Sequence, residues 1–480
     1  MEQQRPSRPL DNSVKNRLLS GYTIHKHLPI MKTTRLASSL LAVFVFLSLQ
    51  SAFAQFAPPS PPPQVIHAGH LVDVASGDVL EDQQILIVEG VIQEVGPSVA
   101  HPEGTVIIDL SDSWVMPGLI DAHTHLALQE MDGSDIDDAG SYYYAGLIED
   151  TAMRVAQGTQ MARSMLENGF VWVRDTGNNG NYGDVTIRRA IQGYWVPGPN
   201  MVTAGRMIAP FGGQFQMNPE KPDLGEPEYY YADSHEEIIL AVRENVHYGA
   251  TTVKLIIDNQ PYLYSEEDVR VAVEEAHAMG VKVMAHATSD EGMRNAILGG
   301  VDSIEHGFNP SDETLQLMAD RGTYLVGTDF PAWRLGDARY ASNIVRSQKA
   351  YEMGVPMAFG SDTVYYEAGR TRGEQTLDFL RSYVDAGLPN DHILRMATMY
   401  AADLLGAETG EIATGLDANI VAMPANPLMD IENLRGIDFV MKDGRVYVED
   451  DVFVWETSRF VNNPRRKQQR GNMLGRIRNR

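Results

Sequence analysis

The sequence predicts an α/β fold, a (β/α)8 TIM barrel with a small β-sandwich domain built from the N- and C-terminal segments. Three observations predict it. Eight short, nearly continuously apolar runs alternate with helix-length stretches between residues 114 and 405. Runs of β type, broken by Gly, Asp and Pro, lie on either side, over 64–113 and 406–456. The polar residues with chemical promise fall at the C-terminal ends of the apolar runs, the face on which barrels carry their sites.

The chain has 480 residues, 43% hydrophobic and 21% charged, which rules out a wholly disordered polymer and leaves room for one large barrel with an appendage. A formal net charge of −25 argues against a nucleic-acid binder, whose footprint is basic. There is no cysteine, and therefore no disulfide, thiolate metal site or cysteine nucleophile. A metal here must sit on His, carboxylate or something less ordinary.

Residues 31–54 read as a signal peptide. Lys32 and Arg35 form its basic start, Leu40–Leu49 its apolar run, and Ala52-Phe53-Ala54 its small-residue cleavage signal. The apolar run is shorter than the ~20 residues of a membrane span, so an exported, periplasmic or secreted protein without stable membrane insertion is expected. Residues 1–30 precede a complete signal with its own Met and read as an upstream start. Removing 1–54, with seven basic and two acidic residues, takes the charge from −25 to −30. Residues 55–63 form a stiff Pro-rich linker. Residues 457–480 form a basic tail without hydrophobic period, read as disordered.

The runs at 64–110 look like antiparallel strands of a small sheet, and ANIVAMP, DFVMKDG and RVYVEDD in 411–456 return to that type. Between them, the eight strand candidates are 114–126, 170–175, 200–205, 251–257, 282–287, 302–307, 323–328 and 356–362. Helices are expected between most of them, and a last one over Asp391–Leu405. Ser234 with Glu237 and Ser265 with Asp268 give helix starts with an N-cap three residues before an acid. Residues 207–232 are too rich in Gly and Pro for a helix and read as a long loop after the third strand.

His123 and His125 end the first strand, and side chains two apart on a strand share a face. His286, His306 and Asp362 end the fifth, sixth and eighth strands. Four imidazoles and a carboxylate converging on one mouth are better explained by a metal than by packing. Lys254 lies within TTVKLII, where an ammonium is costly to bury; a carbamate formed with carbon dioxide would be an anionic oxygen ligand instead.

With VMPGLIDAHTHL, the strand-four lysine, AHA at 285–287, IEHG at 304–307, GSD at 360–362 and GLDANIVAMPANPLMDI, the chain resembles the amidohydrolase superfamily over nearly all of 55–480. More narrowly, it looks like the imidazolonepropionase-like branch containing Xaa-Pro dipeptidases and ochratoxinase-type enzymes. The resemblance implies that His123, His125 and Asp362 hold one divalent ion and His286 and His306 a second, most readily Zn2+. Carboxylated Lys254 and a hydroxide would bridge the two ions. Asp362 would take the proton of that water and pass it to the leaving amine. The residues after His286 are Ala287, Thr288, Ser289 and Asp290, without the glutamate of mononuclear relatives. Where the branch often shows Gly-Gly-His, this chain has Gly212-Gly213-Gln214.

Gln214, Tyr231 and Arg372 are the candidate substrate contacts, with Tyr142–Tyr144, Tyr229, Tyr230 and Arg370 as lesser ones. Asp175 is a candidate hydrogen-bond partner for a ligand histidine. The expected activity is metal-dependent hydrolysis of an amide in a small molecule, a dipeptide or N-acyl amino acid with a free carboxylate. A cyclic amidase or lactonase, and a non-catalytic exported binding protein, are the competing readings. The partner is a small-molecule substrate rather than nucleic acid, and a homo-oligomer is compatible with the sequence.

Overall fold

The computed structural model describes residues 60–129, 149–177, 179–214, 218–365 and 367–455. The expected signal peptide 31–54 and residues 1–30, most of the expected linker 55–63, Tyr142–Tyr144 and the expected tail 457–480 lie outside the described residues. Among the described residues no helix is long and apolar enough to cross a membrane.

The N-terminal runs form β1 (Gln64–Asp73), β2 (Asp78–Val88), β3 (Val91–Gly96) and β4 (Val106–Pro117). Glu89 and Gly90, both at positive φ, join β2 to β3 in the two-residue turn whose twist suits a hairpin. β1 is antiparallel to β2 but parallel to β4. The antiparallel reading holds for β1, β2 and β3 and is corrected for β4 alone, because the segment after β3 returns the chain to the start of the sheet before β4 extends.

The first predicted strand divides at Gly118, where a Cβ would stand 2.5 Å from a Val171 methyl. Its first part ends β4, and its second becomes β5 (Leu119–Thr124), which pairs in parallel with β6 (Phe170–Asp175), itself parallel to β7 (Asn200–Thr203). The segment 207–232 is not loop throughout. It holds β8 (Met207–Ala209) and β9 (Tyr229–Tyr231), which pair in parallel because Met207, Ile208, Ala209 and Tyr229 are buried.

β10 (Thr252–Ile256), β11 (Lys282–Ala287), β12 (Ser303–His306) and β13 (Tyr324–Val326) continue as a parallel series. A few backbone bonds link the groups. Thr251 donates to the Thr203 carbonyl at 2.7 Å, Ala358 to Leu325 at 3.1 Å, and Ala122 to Phe359 at 2.8 Å. The predicted eighth strand, 356–362, forms no ladder, only a bridge from Met357 to Leu325. It is squeezed at Gly360, where a Cβ would lie 2.4 Å from Val326 and 2.7 Å from His123.

Both predicted helix starts are present, with Ser265 and Asp268 in a reciprocal capping box. The last predicted helix is two, Asn390–Met396 and Met399–Leu405, interrupted at Thr398, whose hydroxyl donates back to the Leu394 carbonyl at 2.6 Å.

β14 (Ile420–Met423), β15 (Phe439–Lys442), β16 (Arg445–Glu449) and β17 (Val452–Phe453) complete the chain. β14 pairs antiparallel with β4, so both ends of the chain share one eight-stranded sheet in the order β17-β16-β15-β14-β4-β1-β2-β3. Ile66, Ile85, Ile92, Val115, Ile420 and Met441 of this sheet are fully buried together.

Candidate metal centre

β5, β12 and the 356–362 segment bring three ligand-type residues together. Ligand atoms of His123, His306 and Asp362 all lie within 4.8 Å of one another. His125 joins them through Nε2, 3.1 Å from Asp362 Oδ1. His286 is adjacent, its ring centroid 4.5 Å from that of His306. Lys254 is buried mid-strand on β10, and the β10–β11 register turns it and His286 to the same side.

His306 would point away from Glu305 if β12 kept its alternation. Its φ of 68° breaks the pleat and turns the imidazole toward the group. Thr328 and Asp362 are also left-handed, at 47° and 55°. The Thr328 hydroxyl lies 2.8 Å from His306 Nδ1. Asp121 accepts from the His123 amide at 3.0 Å and from the Ser361 amide and hydroxyl at 3.1 and 2.6 Å, which holds β5 to the Gly360–Asp362 turn.

The electrostatics keep these imidazoles basic in the Lewis sense. Burial, with Lys254 nearby, pushes His123 down to about 4 and His286 down to about 3, and holds His306 well below its usual range. Burial would lift the Asp362 carboxyl, but His123 and His125 outweigh it and keep the group ionised. His125 differs: burial lowers it as well, yet the Asp362 carboxylate more than offsets this and raises it above its usual range. Burial lowers Lys254 to about 8, so an amine lone pair is available near neutral pH.

These residues fit a divalent ion. His123 Nε2 is buried without any hydrogen-bond partner, an arrangement that costs free energy unless something electrophilic meets it. Its Nδ1 is 2.6 Å from Glu305 Oε2, which fixes the ring with Nε2 free. Sequence reasoning missed Glu305. Burial alone would raise its carboxyl, but Arg174 at 2.7 Å and His123 bring it down to about 2. The available signal was the two-residue spacing of Ser303 and Glu305 on β12, both facing inward beside Arg174.

Other candidates land differently. Asp175 makes no hydrogen bond to a ligand histidine, but its charge acts on His125 and helps to raise that imidazole's pKa. It accepts from the Leu126 amide at 2.7 Å and the Gly177 amide at 3.3 Å, and the Gly177 carbonyl in turn accepts from His125 Nδ1 at 2.7 Å. Arg372 is buried with its guanidinium on backbone carbonyls, those of Thr363, of Leu128 at 2.9 Å and of His125 at 3.5 Å. Expected as a substrate contact, Arg372 instead has donors that clamp the loops carrying His125 and Asp362. Gln214 does reach the group. Its amide nitrogen is 3.2 Å from His286 Nδ1, and its oxygen accepts from the Tyr229 hydroxyl at 2.9 Å. Tyr231 stacks on Tyr229 and against Phe211.

The amidohydrolase family model matches residues 114–447. Ochratoxinase of Aspergillus niger is 26% identical over 442 residues, spanning 82% of this chain and 88% of that one. Imidazolonepropionase of Symbiobacterium thermophilum is 25% identical over 427 residues, 80% and 97% of the two chains. A crystal structure of a Xaa-Pro dipeptidase with bound methionine in the active site is 28% identical with a TM-score of 0.70, covering 80% of this chain and all of that one.

Proposed function

Because the chain belongs to the amidohydrolase family, whose members are hydrolases of C–N bonds in small molecules, we propose that it hydrolyses the amide bond of a dipeptide or N-acyl amino acid. One observation carries this reading: a buried His123 Nε2 without a hydrogen bond, facing His306 and 3.7 Å from an ionised Asp362. The prolidase-like and ochratoxinase relatives support the substrate class.

On this reading His123, His125 and Asp362 would hold one divalent ion, and His286 and His306 a second. Lys254, as its carbamate, would add an anionic oxygen donor, and zinc suits the donor set. When bound, such ions polarise a carbonyl and lower the pKa of water. Asp362 takes the proton of the attacking water and returns it to the departing amine nitrogen. Glu305 and the Gly177 carbonyl hold His123 and His125 with their Nε2 atoms inward. Tyr229 holds Gln214 at the His286 edge, where its amide can meet a substrate oxygen.

The same reading takes β5 to β13 and 356–362 as the (β/α)8 barrel of residues 114–405, and the terminal sheet as a companion β-sandwich of 64–113 and 406–456. Export follows from Met31–Ala54, and finding those residues retained on a membrane-bound chain would reject it. Activity is tested on residues 55–480 made with zinc and bicarbonate, by elemental analysis and by amine release from dipeptides and N-acyl amino acids. Two ions per chain with amine release support the reading. Ligand binding without turnover would replace it with a binding protein.

A further inference from the structure

The helix Asp337–Glu352 turns one face to the loop that follows His306. Arg339, Ser342 and Arg346 are spaced three and four apart and share that face. Buried Arg346 donates to the carbonyl of His306, and Ser342 donates to Asn309 Oδ1 at 2.6 Å. Arg339 is different. Its guanidinium carbon lies 5.0 Å from the centroid of the Phe308 ring, and that ring lies 5.6 Å from the ring of His306. No carboxylate or carbonyl among the described residues hydrogen-bonds or ion-pairs with it.

That placement leaves Arg339 without a structural pairing among the described residues. It sits in the first turn of a helix that begins at Gly336 without a side-chain cap, where backbone amides already favour negative charge. The Phe308 face orients the exposed cation and leaves its five donors to water, which a ligand can displace. The neighbouring arginines are taken. Arg370 holds Asp378 at 2.7 and 2.9 Å and Glu367 at 2.8 Å, and Arg372 is committed to carbonyls.

We infer that Arg339, braced on Phe308 beside His306, binds the free carboxylate of the substrate. The inference rests on the amide-hydrolase reading for its substrate class, and it makes the enzyme select acids over their carboxamides. A guanidinium matches a carboxylate in a planar, two-bond pairing that a lysine cannot reproduce.

The test compares the metal-loaded full chain with Arg339→Met, which keeps the stem over Phe308, and with Arg339→Lys. The substrates are N-benzoyl-L-phenylalanine and its carboxamide. Arg339→Met is expected to raise KM for the acid roughly tenfold, with kcat within about twofold and the carboxamide unchanged, as for loss of a charged hydrogen bond. Arg339→Lys should recover part of the loss. An unchanged KM for the acid, or equal losses on acid and carboxamide, overturns the assignment. Calorimetric binding of L-phenylalanine separates this from failure of the amidase reading. If neither compound is hydrolysed, binding weakened roughly tenfold in Arg339→Met sustains the anchor. Equal binding, or none to the unaltered protein, removes it.

Discussion

The Nδ1 of His123 lies 2.6 Å from Oε2 of Glu305, and neither side chain touches solvent. An ionised carboxylate at that distance requires the proton on Nδ1, so Nε2 keeps its lone pair toward Asp362 and His306. Glu305→Gln should lower metal affinity roughly 10–100-fold, measured by competition with a chelator, with the far-ultraviolet dichroism unchanged. Unaltered affinity would mean that packing alone orients His123.

Lys254 should act oppositely with and without carbon dioxide. In metal-free, CO2-free buffer its folded pKa of about 8 lies below the unfolded value of ~10.4. Between those values the unfolded chain binds the extra proton, so stability rises with pH across the window. Lys254→Met should abolish that rise and stabilise the metal-free protein at neutral pH by on the order of 3 kcal/mol, read from denaturant melts at about pH 7 and about pH 10. With bicarbonate and zinc present, the same substitution should reduce the bound metal. A pH-independent difference between the two melts would rule out the depressed amine.

Asp362→Asn should lower kcat by roughly 10²–10⁴-fold if the carboxylate carries the proton. Amine release measures the loss, and elemental analysis of the same samples separates proton transfer from metal binding. Turnover close to that of the unaltered enzyme would exclude Asp362 as the base.

Arg372→Met should destabilise the fold by roughly 2–4 kcal/mol, because the carbonyls of Thr363 and Leu128 lose a charged donor in a buried setting. Thermal unfolding reads that loss. Discrimination between an acid and its carboxamide should stay as it was, which distinguishes this residue from Arg339.

Tyr229→Phe releases the Gln214 carbonyl oxygen and lets the side chain rotate from His286. KM should rise several-fold, for about 1 kcal/mol of lost positioning, with little change in melting temperature. If the melting temperature falls while KM holds, Tyr229 serves packing alone.

The metal-type residues were legible because they end apolar runs, and a strand end is a place that periodicity can locate. Their company was less so. The Ser303–Glu305 spacing could mark Glu305 as inward-facing, but its partnership with His123 and Arg174 depends on the approach of β5 and β6 from elsewhere in the chain. Arg372 looked like a substrate contact because a helix-start arginine has the same local sequence whether it faces a cleft or a carbonyl. The strands Met207–Ala209 and Tyr229–Tyr231 were hidden by the Gly and Pro between them. The eighth apolar run was found, but its ladder fails at Gly360 for reasons of crowding that only the packed neighbours reveal.

The position of β4 between β1 and β14 has a consequence for synthesis. Val115 must wait for Ala422 before its edge is covered, although every candidate metal ligand precedes that partner. A nascent chain halted between Asp362 and Ile420 would hold the whole chemical apparatus and still present a long unpaired strand edge. Such edges recruit other chains. Premature termination in that interval should yield aggregates rather than a weakened enzyme, so the last strands act as a release condition on everything upstream of them.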